Sequence, residues 1–249
     1  MQDIKTLAKN KLAALGSTTA LILAAGSFAA TPAHADPEIS GNISIVSDYV
    51  LRGFTEETES DGPAVQGGFD LEYDSGFYAG WWASSLGYGT DNLTTTVEND
   101  LYFGFAGESG DFSYDFGLLY YWYMDDSDSS GFEPYVTFGF GAFEIGAAYM
   151  AQDVSWSNSG DIYWHIGTEF ELGNGFDLSL LGAMYTYSDS GKYIPSSDNS
   201  NSFNHIDITL SKAIGDTPAS MFASYILAGE DRDGVSQKDK IVIGLSYSF

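Results

Sequence analysis

The chain contains no cysteine. That excludes a disulfide framework, thiolate metal sites and a cysteine nucleophile. Basic residues are scarce as well: nine Lys and Arg stand against 35 Asp and Glu, for a formal net charge of −26. Nucleic acid needs a basic surface, so it is not expected as a partner. Strong charge of one sign can mark disorder, but 17 Tyr, 17 Phe and five Trp carry too much aromatic surface for that. Also missing, beyond the N-terminal leader, is any uninterrupted apolar run of about 20 residues, the length a membrane helix needs. A chain without such a helix can span a bilayer only as a closed barrel.

The leader itself has a distinct make-up. Lys5, Lys9 and Lys11 make a basic start, and 12–30 is mostly Ala, Leu, Ile, Gly, Ser and Thr. "TPAHA" then sets Ala33 and Ala35 in an A-x-A frame before Asp36. This is the layout of a cleaved secretory signal. The expected organisation is a signal peptide over 1–35 and one domain over 36–249. The alternative, a retained membrane helix, is disfavoured because "GSTT" interrupts a short apolar stretch. No cysteine follows the cleavage frame, so a lipid anchor there is excluded.

What the remaining chain does have is alternation. From Ile39, one face reads Ile39, Gly41, Ile43, Ile45, Ser47, Tyr49, Leu51 and the other Ser40, Asn42, Ser44, Val46, Asp48, Val50, Arg52. From Val65, Phe69, Leu71 and Tyr73 oppose Gln66, Asp70 and Glu72. A period of two means strands with one apolar and one polar face. The pattern continues over Phe77–Leu86, Val97–Ala106, Phe112–Tyr123, Phe132–Gly139, Phe143–Ala151, Ile162–Leu172, Phe176–Tyr187, Phe203–Ile214, Ala219–Ala228 and Asp239–Phe249. That predicts about 12 strands, most of them near the roughly 9–11 residues a tilted membrane strand requires.

The connections alternate too. Tight turns at 74–76, 107–111, 140–142, 173–175 and 215–218 separate longer acidic loops at 54–63, 87–96, 124–131, 152–161, 188–202 and 229–238. Short turns at one end and long loops at the other are the mark of an up-and-down antiparallel transmembrane β-barrel. Aromatics cluster at strand ends on the apolar face: Tyr49, Tyr73, Phe77, Phe112, Trp122, Phe132, Tyr149, Phe176, Tyr225 and Tyr247. Interfacial girdles have this form. A water-soluble β-sandwich also alternates, but should show scattered loop lengths and fewer outward aromatics.

The stretches "SDYVLRG" (47–53), "PAVQGGFD" (63–70) and "SGFYAG" (75–80) carry a family resemblance. Within residues 41–85 the chain resembles the start of the TorF family of proteobacterial porin-like proteins, and the likeness runs on to the final aromatic strand. The resemblance implies an outer-membrane barrel and a pore. It implies no particular substrate.

Acids dominate the expected polar face: Asp48, Asp70, Glu72, Glu98, Asp100, Asp115, Glu133, Asp161, Glu169, Asp177 and Asp207, against Arg52 and Lys240. Carboxylates lining a pore favour cations. With so few basic partners, full ion pairing of these acids is not expected. Tyr78, Trp82, Tyr102, Tyr121, Tyr135, Tyr163, Tyr185 and Tyr187 share that face, as space-filling side chains or as stacking platforms for a passing ring. The expectation is a narrow, cation-preferring channel for small polar solutes, with no enzymatic activity. The pore-lining candidates are Asp48, Arg52, Asp70, Glu72, Asp100, Asp115, Tyr121, Glu133, His165, Glu169 and Asp207. Alternatives are a barrel without a channel, in a structural or surface role, and a lipid-acting barrel enzyme built on His165 or His205. The last lacks any G-x-S-x-G motif. Lumen width leaves an open or a plugged pore equally open at this point.

No cofactor is expected. "DDSDSSG" (125–131) places Asp126, Asp128, Ser130 and Gly131 as in a calcium loop, but Thr137 stands where a bidentate Glu is required. Divalent cations shared with lipopolysaccharide are the looser role for the acidic loops. Finally, Ile241, Ile243, Leu245, Tyr247 and Phe249 alternate with small residues to the last position. The expected pairing is with the first strand, which closes the barrel. Leu245, Tyr247 and Phe249 also fit a signal for outer-membrane assembly machinery. The expected partners are therefore that machinery, periplasmic chaperones, outer-membrane lipid and lipopolysaccharide, and small polar solutes.

Overall fold

The computed structural model describes residues 37–57, 59–86, 97–124 and 126–249. The expected leader with Ala33, Ala35 and Asp36, the loop 87–96 and Asp125 lie outside the described residues. Among the described residues there is no helix. Twelve strands follow one another: β1 (Glu38–Val46), β2 (Ala64–Glu72), β3 (Phe77–Ser85), β4 (Val97–Ser109), β5 (Phe112–Tyr123), β6 (Gly131–Phe140), β7 (Phe143–Tyr149), β8 (Ile162–Gly173), β9 (Phe176–Thr186), β10 (Asn201–Ala213), β11 (Ala219–Ala228) and β12 (Lys240–Ser248). Each pairs antiparallel with its chain neighbours, and β12 pairs with β1, so the sheet is a closed barrel without edges.

Closure runs to the last residue. Ile43 stands opposite Tyr247 and Ile45 opposite Leu245. Beyond the strand, Gly41 N donates to Phe249 O (2.8 Å) and Phe249 N donates to Gly41 O (2.9 Å). The Phe249 ring meets Phe69 edge-on, with centroids 6.0 Å apart. The expected final strand and its partner are thus found as read.

The alternating pattern decides which way each side chain points. Ile39, Ile43, Ile45, Phe69, Phe103, Phe116, Ile145, Ile166, Ile243 and Leu245 are exposed on the outer wall, and Ser44, Gln66, Glu98, Asp100, Glu133, His165 and Asp207 are buried inside. A continuous outer belt of large apolar side chains is far beyond what a water-facing surface carries. It is the lipid-facing band of a transmembrane barrel. The short turns include Gly141 at φ +62°, left-handed backbone that glycine adopts without strain. They lie at one end with Glu38 and Phe249; the long loops lie at the other.

One expected strand is wrong in length. β1 ends at Val46 rather than running on through Arg52. Alternation continues past that point, but "LRGF" forms a tight turn. Phe54 N donates to Leu51 O (3.0 Å), with Arg52 at φ +48° and Gly53 at φ +79°. Positive φ at both central positions is the hairpin geometry for which "RG" is an unusual sequence. Tyr49 and Leu51 therefore do not face lipid, and Tyr49 leaves the expected girdle: it is 3% exposed, inside the barrel.

Candidate functional site: the barrel lumen

Residues 47–57 turn inward and fill the long-loop half of the lumen. Val50 and Tyr49 pack with Val46, Leu119, Tyr121, Tyr123, Met150, Val154, Ile226 and Val242 in an interior apolar cluster. At the tip, Arg52 is buried and holds Glu133 of β6 through both terminal nitrogens, at 2.7 and 2.6 Å. It also donates to Tyr185 Oη (3.3 Å) and lies over the Tyr163 ring, 4.5 Å from its centre. A planar guanidinium in such a fork is fixed in direction as well as charge. Gly53 passes so close to His205 that a Cβ would meet that side chain at 2.6 Å. Arg52 was expected on the wall; it sits instead on this inward hairpin.

The carboxylates find partners the sequence reading did not assign. Tyr49 Oη and Tyr123 Oη donate to Glu98, at 2.8 and 2.5 Å. Tyr121 Oη donates to Glu133 (3.1 Å). Tyr102 donates to Asp70, and Tyr78 donates to Asp115 at 2.6 Å and meets Tyr135. Lumen tyrosines are thus hydrogen-bond donors to lumen acids. Tyr123–Glu98 and Tyr121–Glu133 join adjacent strands, whereas Tyr102–Asp70 and Tyr78–Asp115 each reach across an intervening strand.

His165 and His205 both stand opposite Ala183 of β9, one on each side, on the lumen face. Both rings lie beside Tyr163, at 5.8 and 6.2 Å between centroids. Neither is placed with a serine in a nucleophile arrangement: His205 Nδ1 contacts Asn204 Oδ1 (2.7 Å), and both His165 nitrogens are buried without a protein partner.

The short-turn half is different. Asp70, Glu72, Asp115, Glu144, Glu169 and Asp177 point inward there and are only half-buried. Glu144 was not among the expected lumen acids. The basic side chains at the lumen are all in the long-loop half or at its rim. They are Arg52, Lys240, which pairs with Asp48 (3.4 Å), and Arg232, which pairs with Asp161. Asp161 also takes Ser157 Oγ (2.7 Å) and the amides of Asn158 and Ser188 (both 2.8 Å), tying three long loops together.

In the loop read against a calcium site, Asp126 accepts from Asp128 N (3.1 Å) and Ser129 Oγ (2.6 Å), and Thr137 is buried within β6. No cluster of three or more His, Cys, Asp or Glu that could hold a metal ion occurs among the described residues. In the long loop between β1 and β2, burial pushes the Glu59 carboxyl up to about 8, with Glu98 and Glu57 adding repulsion.

Fold and lumen together define a transmembrane β-barrel with an acid-lined, partly filled interior. Over residues 29–243 the chain matches the model of a bacterial protein family of unknown function, Gcw_chp, and it belongs to that family. No curated protein matches it. Among solved structures it is similar to the KdgM porin (8% identity, TM-score 0.55, covering 84% of this chain and 99% of that one). It is also similar to an outer-membrane channel from Pseudomonas putida F1 (11%, 0.54, 91% and 99%) and to the NanC porin (14%, 0.51, 84% and 99%). At these identities the likeness is one of fold.

Proposed function

We propose that the protein is a porin-like channel of a Gram-negative outer membrane that passes small polar solutes by diffusion and prefers cations. The observation that carries this reading is the charge distribution along the lumen. The short-turn half presents six half-buried inward carboxylates, with Glu38 and Glu171 on the same face at its rim, while the basic groups at the lumen sit in the other half or at its rim. Carboxylates in a confined passage attract cations and repel anions. The fold shared with porins and the resemblance of 41–85 to TorF proteins support the same reading, with no enzymatic step. Outer-membrane lipid and lipopolysaccharide would surround the belt and loops, with divalent cations bridging the acidic loops. Assembly machinery and periplasmic chaperones would handle the chain before insertion.

A second reading has its own observation. The interior cluster around Leu119, Tyr121 and Met150 is buried like a soluble core, which favours a closed barrel in a structural or surface role. Planar-bilayer recording in a salt gradient separates them. Discrete currents reversing toward the cation potential support the channel. Anion selectivity overturns the cation preference, and a silent bilayer with folded protein inserted overturns the channel.

A further inference from the structure

We infer that residues 47–57 are a gate, closed in this structure, and that opening it removes the lumen's central positive charge at the same moment. The inference rests on the channel reading above.

The segment is built to move as a unit. Its roots, Val46 and Ala64, are paired neighbours at the rim, so the hairpin hangs from the wall without being part of it. Ser47 is still tied to β12: its amide donates to Ile243 O (2.8 Å) and its hydroxyl accepts from Ile243 N (3.1 Å). Beyond that root, among the described residues, the hydrogen bonds and ion pairs from 48–57 to the rest of the barrel run through side chains: Arg52 to Glu133 and Tyr185, Tyr49 to Glu98, Thr55 Oγ1 to Lys238 O (2.6 Å), Glu56 N to Gln237 Oε1 (3.1 Å) and the Lys238 and Lys240 ion pairs. A strand is released only by breaking a ladder of backbone bonds; this segment is released by breaking these side-chain contacts and withdrawing Tyr49 and Val50 from the interior cluster.

The closed state also carries strain and unmet polar groups. Arg52 holds left-handed backbone, which a side chain disfavours. Asp100 Oδ1, Tyr163 Oη and both nitrogens of His165 are buried with no protein partner. Such groups are costly while dry and satisfied once hydrated. Withdrawal of the hairpin would let water reach them. The buried Arg52–Glu133 fork opposes this, so it acts as the latch.

Selectivity follows from where the latch sits. With Arg52 in place, a guanidinium occupies the passage beside Glu133. With Arg52 withdrawn, Glu98, Asp100 and Glu133 form an uncompensated acidic constriction on β4 and β6. The open state is therefore the cation-selective one.

The experiment is single-channel recording of four proteins: wild type; E133Q; T55C/K238C; and a barrel with 48–57 replaced by Gly-Ser-Gly. The chain has no other cysteine, so any intramolecular cross-link formed on oxidation of the double variant is the 55–238 one, and its formation is confirmed by mass before recording. Wild type should show brief openings. E133Q should spend about tenfold more time open. Oxidised T55C/K238C should be locked shut and recover on reduction. The replacement barrel should stay open and reverse closer to the cation potential than wild type. Oxidised T55C/K238C conducting like its reduced form, or a replacement barrel no more open than wild type, overturns the gate and leaves the channel reading standing. A folded replacement barrel that passes no current overturns both. If E133Q fails to fold, the cross-link and the replacement still decide the question.

Discussion

Arg52 and Glu133, 81 residues apart, are joined by two charge-assisted hydrogen bonds inside the barrel. Breaking a buried pair in a fixed core costs about 3–5 kcal/mol, because the surviving charge is stranded. Here the survivor sits on a hairpin and has somewhere to go. In E133Q, Arg52 should move into water, so the urea midpoint of the wall should shift by less than that figure implies. At a fixed pH, trypsin should then cut after Arg52 faster in folded E133Q than in wild type. A protected Arg52 in E133Q, with the full loss of stability, would show the hairpin to be a fixed plug.

The tyrosine donors should matter in proportion to burial. Glu98 is 1% exposed and leans on Tyr123. Removing that donor by Y123F leaves a buried acceptor short of a partner and should cost about 1–3 kcal/mol. Asp70 is half-buried, so in Y102F water can replace the lost hydroxyl and the cost should stay under about 1 kcal/mol. Urea unfolding of each refolded variant gives the comparison, and equal losses would contradict it.

The wall was legible in the sequence because each strand repeats one physical fact: side chains two apart share a face. Ile43 and Ile45 point outward and Ser44 inward, as alternation requires, and β5 and β11 begin and end where the pattern places them. The hairpin was not legible for the same reason. Read at period two, 47–52 extends the strand, with Asp48 and Arg52 on the polar face and Tyr49 and Leu51 on the apolar one, and no Asn-Gly or Gly-Gly marks the turn. What pulls Tyr49 and Arg52 inside is their partners, Glu98 and Glu133, which lie 49 and 81 residues away. Period-two reading sees a residue's face; it does not see which distant carboxylate a phenol or guanidinium will meet. Alternation put Asp70, Glu98, Asp115 and Glu133 on one face, but it could not show that Tyr102, Tyr123, Tyr78 and Tyr121 donate to them.

Cation preference should depend on the short-turn acids. D70N/E72Q/D115N removes three of the six half-buried inward carboxylates there without changing side-chain size much. In a salt gradient its open-state reversal potential should move toward zero relative to wild type. An unchanged potential would place selectivity elsewhere, at the Glu98, Asp100 and Glu133 level.

Closure of the β1–β2 loop should weaken as pH rises. Glu59 titrates at about 8 in the folded loop against an ordinary value of 4.5, first because it is buried and then because Glu98 of β4 and Glu57 face it. A carboxyl raised on folding favours the folded form when protonated. Its contribution is therefore fully present below about pH 4.5 and is lost as pH climbs through about 8. Open probability should increase between those limits in wild type. E59Q should flatten the profile. A wild-type profile that rises toward acid instead would reverse the sign and exclude Glu59 as its source.

Phe249 should matter more for assembly than for the finished wall. It closes the ring through two backbone hydrogen bonds with Gly41 and an edge-on contact with Phe69. Its ring lies in the lipid-facing belt at 63% exposure, so its burial in protein adds little stability. F249A keeps the backbone bonds and loses the ring, whereas deleting Phe249 loses both. If the final aromatic residue is also read during insertion, F249A and the deletion should both fail to accumulate in the outer membrane in cells. After refolding into detergent in vitro, F249A should still show the heat-dependent gel shift of a closed barrel. Normal accumulation of F249A in cells would leave Phe249 a closing residue and nothing more.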